Sequence, residues 1–176
     1  MKGAHDAGVL GRMKTLHLLR HAKSDWSDPT LPDHDRPLNE RGKRTRRLLA
    51  RHVTGWSVDL IVCSTAKRAR QTAAPIVAVL ACPVREEAAL YAADVSDVLD
   101  VVRSLPDDAR VVMLVGHNPS MEEVTDALCG SSPRYPTGAL GTIAVGVDHW
   151  RDTSPGCGTV TAHVTPAELR ARERAR

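Results

Sequence analysis

Two imidazoles and two guanidinium groups lie within a few residues of the ends of apolar runs. Arg20 and His21 follow "TLHLL" at 15–19, Arg68 lies in "STAKRARQT" after "DLIVC" at 59–63, and His117 lies in "GHNPS" after "VVMLV" at 111–115. One such residue at the end of a run is ordinary loop polarity; three successive runs delivering Arg, His, Arg and His is not. Guanidinium forks match phosphate oxygens in bidentate geometry, and helix N-termini add backbone donors and a positive dipole end. A neutral imidazole nitrogen can attack phosphorus to form a covalent phosphoenzyme, while a second, protonated imidazole stabilises charge on the transferring oxygens.

Competing chemistries fail on spacing. A cysteine-based phosphatase loop needs Arg at the sixth position after Cys, where this chain has Ala69 after Cys63. The chain contains no G-K-[ST] phosphate loop, G-x-S-x-G elbow, H-E-x-x-H pair or EF-hand pattern. With fixed positive charge already present, neither a metal nor another cofactor is expected.

The apolar, β-branched runs that must position these residues read as strands at 15–19, 59–63, 111–115 and 141–147. An alternating edge strand is expected at 158–164 and a weaker one at 84–87. Helical patterns fall at about 39–54, 66–81, 96–104 and 119–129, and "PAELRARERAR" closes the chain as a polar helix. Strand and helix alternate, which predicts an α/β fold: a three-layer α/β/α sandwich with a mostly parallel central sheet. Such sheets place ligands beyond the carboxyl ends of their strands, where the four candidates sit. Asn118 or Ser120 is expected to cap the helix after His117, with Pro119 at its first position.

Composition is that of an ordinary globular protein: 42% hydrophobic, 26% charged, net charge +3 and no Phe, so aliphatic packing carries the core. The 176 residues suit one domain, taken as 13–176, preceded by a flexible N-terminal extension at 1–12. No apolar run is long enough to span a membrane and no signal peptide is visible, so a cytoplasmic location is expected, without a membrane partner. Cys63, Cys82, Cys129 and Cys157 show no C-x-x-C spacing and read as reduced thiols. The basic run "RGKRTRRLLAR" at 41–51 reads as the solvated face of a helix capped by Asn39 and buried through Leu48, Leu49 and Val53. A nucleic-acid partner is therefore not expected.

The segments "LLRHAKSDW", "DRPLNERG", "STAKRARQTA" and "VGHNPS" resemble the histidine phosphatase superfamily, specifically its small SixA-like phosphohistidine phosphatase branch. The likeness spans roughly residues 13 to 166 and implies a phosphoglycerate mutase-like fold. It implies His21 as nucleophile, Arg20 and Arg68 as phosphate clamps, and His117 as second catalytic histidine and phosphate ligand. Ser27 stands where many relatives carry a phosphate-binding Asn, and Ala22 stands where the family motif has Gly. For the proton donor, Glu86, Glu87 and Asp94 are available, of which Glu87 is the expected donor, and a solvated surface acid is the plainer reading of each. Tyr91 either packs beneath the site or fills the core.

About 24 residues separate the third strand from "VVMLV", room for one helix and not for an inserted lid, so an open site is expected. An open site admits a phosphorylated side chain of another protein, whereas an enclosed one favours a small phosphate ester. The leading expectation is a metal-independent phosphatase working through a phosphohistidine intermediate on protein phosphohistidine. The alternatives are a phosphomonoesterase acting on a small metabolite and a non-catalytic phosphate-binding module. With His21 neutral and His117 charged, the rate should fall on both sides of an optimum pH.

Overall fold

Buried aliphatic strands account for the centre of the molecule. In the computed structural model, which describes residues 13–175, β1 (Lys14–Arg20) is buried almost throughout because it has a neighbour on each side and a packed layer on each face. The extension expected at 1–12 lies outside the described residues. The other strands are β2 (Leu60–Ser64), β3 (Val84–Glu87), β4 (Val111–Gly116), β5 (Leu140–Val145) and β6 (Gly158–Val164). They form one sheet in the order β3-β2-β4-β1-β5-β6. β3, β2, β4 and β1 run parallel, and β5 turns antiparallel against β1 with β6 paired to it at the edge. The weak run at 84–87 and the alternating run at 158–164 are the two edge strands, where a half-polar pattern is tolerated.

Five helices complete the layers: α1 (Glu40–His52), α2 (Lys67–Leu80), α3 (Val95–Arg103), α4 (Ser120–Cys129) and α5 (Pro166–Arg174). On one face Leu19, Ile61, Met113 and Val115 pack against Leu49 of α1, Ile76 of α2 and Leu169 of α5. On the other, Leu16, Leu18, Val62 and Leu114 pack against Val98 of α3 and Val124 of α4, with Tyr135 and Trp150 filling the layer. The sandwich and its mostly parallel sheet match the expectation from alternation.

Register sets the height of the strand ends. Arg20 pairs with Gly116, and the His21 amide donates to the Gly116 carbonyl at 2.9 Å. On the other side of β4, Cys63 pairs with Val115, so Ser64 ends level with Gly116. Parallel pairing thus delivers Arg20-His21, Ser64 and His117 to one rim.

The long connection from β1 to α1 is folded back over this rim. Asn39 donates its amide to the Lys23 carbonyl, Asp25 donates to the Pro37 carbonyl, and Leu38 donates to the Gln71 side chain of α2. Asn39 caps α1 as expected, its Oδ1 accepting from the Gly42 amide at 2.9 Å. Gly42 is required by close approach, since a Cβ there would collide with the Lys23 carbonyl. Gly→Ala inside a helix ordinarily stabilises by about 1 kcal/mol. Here Gly42→Ala should instead destabilise by about 1–3 kcal/mol as the loop is pushed away. Urea unfolding measures the sign, and a gain in stability would show that the loop does not rest on α1.

Candidate active site

The rim gathers His21, Arg68 and His117 into one buried corner, each less than 9% exposed. The two imidazole rings lie 4.9 Å apart between centroids, tilted by 55°. Arg68 links them: its Nε donates to His21 Nε2 at 3.3 Å, and one terminal nitrogen lies 3.4 Å from His117 Nδ1. Arg68 reaches the corner because it stands in the first turn of α2, which Thr72 anchors. The Thr72 hydroxyl donates to the Arg68 carbonyl at 2.7 Å and accepts from the Ala22 amide at 3.0 Å.

Hydrogen bonding fixes the tautomers. His21 Nδ1 lies 2.8 Å from the Ala22 carbonyl, which can only accept, so Nδ1 carries the proton and Nε2 presents a lone pair. His117 Nδ1 faces the Arg68 donor, leaving Nε2 to donate to the buried Ser64 hydroxyl at 2.8 Å. Both rings are held neutral. Burial pushes His21 down to about 4, with the Arg68 and Arg20 charges adding to the effect and the Ala22 hydrogen bond opposing it. Burial pushes His117 down to about 3, reinforced by His21 and Arg68. The charged His117 expected from the sequence is therefore not a property of the unliganded site: a guanidinium beside two buried imidazoles disfavours a further positive charge.

Arg20 lies at the edge of the cluster. One terminal nitrogen donates to the Tyr135 carbonyl at 2.7 Å, its charge acts on both histidines, and its buried Nε has no hydrogen-bond partner. Glu122 approaches Arg20 from α4, where its carboxylate also accepts from the Tyr135 amide and the Asn118 side chain.

Asp33, in the one-turn 3-10 segment Asp33–Asp35 of the β1–α1 loop, faces the cluster from its solvent side. Its main-chain carbonyl accepts from Arg68 at 2.6 Å, and its Oδ2 accepts from Arg68 at 2.9 Å and from the Tyr91 hydroxyl at 3.0 Å. Tyr91 packs edge-on against both His117 and His34. It is neither beneath the site nor in the core, but part of its outer wall. No domain is inserted after β3, as chain length predicted. The cluster is nevertheless more covered than that length suggested, because the preceding loop reaches over it.

Two expected site residues are not brought to the cluster. Glu87 turns back on its own segment, its carboxylate accepting from the Ala89 amide at 3.2 Å and facing Arg85 at 3.8 Å. Ser27 is exposed, and its amide closes a tight turn onto the Asp25 carboxylate. The expected caps of α4 also differ. Pro119 occupies the cap position itself, Ser120 donates back to the His117 carbonyl, and the Asn118 amide group is drawn to Glu122 and Tyr135. Ser64, Asp33 and Tyr135 were assigned nothing from sequence. Ser64 had a signal, as the residue completing a buried strand beside the other two rim positions.

The family model for the histidine phosphatase superfamily (branch 1) matches residues 16–100. An uncharacterised protein of Mycobacterium tuberculosis is 33% identical over 165 residues, spanning 84% of this chain and 99% of that protein. The chain belongs to the histidine phosphatase superfamily. A candidate phosphohistidine phosphatase SixA from Nakamurella multipartitia superposes with a TM-score of 0.77 at 28% identity, covering 88% of this chain and 96% of that one. The protein histidine phosphatase SixA complexed with tungstate shares the fold, with a TM-score of 0.76 at 21% identity over 88% of this chain and 99% of that one. This is the SixA-like form of the phosphoglycerate mutase-like fold, and members of the superfamily are phosphatases.

The depressed histidines make stability acid-sensitive. His17, beside β5 and Trp56, is lowered by burial to about 4, like His21. The unfolded chain binds these protons first, near pH 6.5, so stability declines as pH falls from there toward 4. Urea unfolding should lose on the order of 2 kcal/mol or more between pH 6.5 and 4.5. A flat profile across that window would contradict the neutral, buried assignment.

Proposed function

We infer that this protein is a metal-independent phosphatase that forms a covalent phosphohistidine at His21 and acts on phosphohistidine carried by another protein. The observation that carries the reading is the His21 ring. Nδ1–H is pinned to the Ala22 carbonyl, so the Nε2 lone pair points to the place where Arg68, His117 and the charge of Arg20 converge.

In the first step Nε2 attacks phosphorus, and the bond to the leaving group breaks as the new P–N bond forms. Arg68, Arg20 through its unpaired Nε, and His117 take the phosphoryl oxygens. A bound dianion raises the His117 pKa, so the ring becomes a charged donor only when the phosphoryl group is present. Ser64 holds that ring from behind. In the second step water attacks phosphorus, releasing inorganic phosphate and restoring neutral His21.

The leaving group argues for a phosphoramidate. An alkoxide departs badly without a strong acid, and Glu87, the acid expected from sequence, is committed to Ala89 and Arg85. An imidazole departs well when its other nitrogen is protonated, and needs no such acid. SixA, whose fold this chain shares, is described as a protein histidine phosphatase.

Turnover of p-nitrophenyl phosphate and of a phosphohistidine peptide, measured in EDTA, tests the reading. His21→Ala should lose roughly a thousandfold or more on both substrates, and Arg68→Ala on the order of 10²–10³-fold. A phosphohistidine peptide should be preferred to sugar and nucleotide phosphates. Preference for a small ester would favour the phosphomonoesterase reading, and tight phosphate binding without turnover would favour a binding module.

A further inference from the structure

The Asp33 carboxylate is the acidic group bonded to the cluster, and it is used on one side only. Oδ2 accepts from both Arg68 and Tyr91, whereas Oδ1 is given no hydrogen bond and the side chain is 45% exposed. Asp33 reaches Arg68 from the solvent side while His21 reaches the same guanidinium from the sheet side. With His21 attacking in line from the sheet side, the leaving group would depart on the solvent side, where the Tyr91 hydroxyl donates to Asp33.

We propose that Asp33 Oδ1 accepts a hydrogen bond from the distal ring N–H of the substrate's phosphorylated imidazole, and so selects phosphohistidine over phosphate esters. The inference rests on the phosphohistidine reading and adds the group that recognises the leaving ring. The chemistry balances without an acid. The substrate imidazole carries the phosphoryl group on one nitrogen and a proton on the other, and is therefore cationic. As His21 Nε2 forms its bond to phosphorus, the substrate P–N bond breaks, its electron pair returns to the ring, and the imidazole leaves neutral with its distal proton in place. Positive charge passes to the His21 ring, whose Nδ1–H remains on the Ala22 carbonyl. Ala22 thus does for the enzyme's imidazole what Asp33 does for the substrate's, and the phosphoryl group passes between two matched rings.

An ester gains nothing from this arrangement. Its alkoxide needs a proton, and Asp33 is ionised: burial raises its carboxyl, but hydrogen bonds from Arg68 and Tyr91 and the Arg68 charge outweigh that and hold it below its ordinary value. The titratable groups around it are Arg68 from α2, Tyr91 after β3, His117 after β4 and His21 after β1, with His34 and Asp35 on its own segment.

Asp33→Asn keeps the shape and an acceptor oxygen but removes the charge, at an exposed turn where folding is verified by thermal melting. The readout is the ratio of kcat/KM for a phosphohistidine peptide to that for p-nitrophenyl phosphate. The ratio should fall about tenfold or more in Asp33→Asn, and Asp33→Glu should recover part of it. The alkaline limb of the phosphohistidine profile should also move to lower pH in Asp33→Asn, because the substrate imidazolium has lost its partner. Equal losses on both substrates with an unmoved limb would overturn the proposal, reducing Asp33 to a brace for Arg68. Wild-type protein that hydrolyses p-nitrophenyl phosphate but not phosphohistidine would overturn the functional reading itself.

Discussion

A guanidinium that cannot lose its proton is buried between two imidazoles that can. That constraint sets the behaviour of the site. Burial drives His21 and His117 to the neutral form, and the permanent charge of Arg68 in the same corner reinforces it. In the proposed mechanism neutral His21 offers its Nε2 lone pair at ordinary pH, and His117 takes a proton once a dianion arrives. On that reading the same corner is nucleophilic before the phosphoryl group binds and strongly cationic afterwards, with no change of fold.

The sheet makes this corner possible. Four parallel strands end at one rim, and the pairings of Arg20 with Gly116 and of Cys63 with Val115 bring three strand ends level. A slip of one residue in either pairing would turn the rim side chains to opposite faces. The aliphatic layers around β1 and β4 hold that register, and the electrostatics depend on packing far from the charged groups. The β1–α1 loop then closes the outer side through Asn39, Leu38 and Gln71, carrying Asp33 to Arg68.

Much of this was legible in the sequence for a physical reason. Buried parallel strands are written as continuous apolar runs, and the residues immediately after them fall on the binding rim whatever the loops do. That rule points to Arg20, His21 and His117, and the structure brings His21 and His117 together with Arg68 from the first turn of the helix after β2. What escaped depends on loop conformation. Asp33 lies in a polar stretch with no periodicity, and only the folding-back of residues 23–39 brings it to the cluster. Glu87 departs for the converse reason: it ends β3 at the rim, but its side chain caps the turn at 88–90 instead of joining the cluster. The α4 cap differs from the expected one because Asn118 and Ser120, both good cap residues by type, are taken by Glu122, Tyr135 and the His117 carbonyl.

Nuclear magnetic resonance titration of the imidazole nitrogens, with and without tungstate as a phosphate mimic, tests the central claim directly. His21 and His117 should stay neutral down to below pH 5 in the unliganded protein, with the His21 proton on Nδ1, and tungstate should move the His117 ionisation upward by more than one unit. Free histidine-like titration of both rings near pH 6.5, indifferent to the oxyanion, would contradict it.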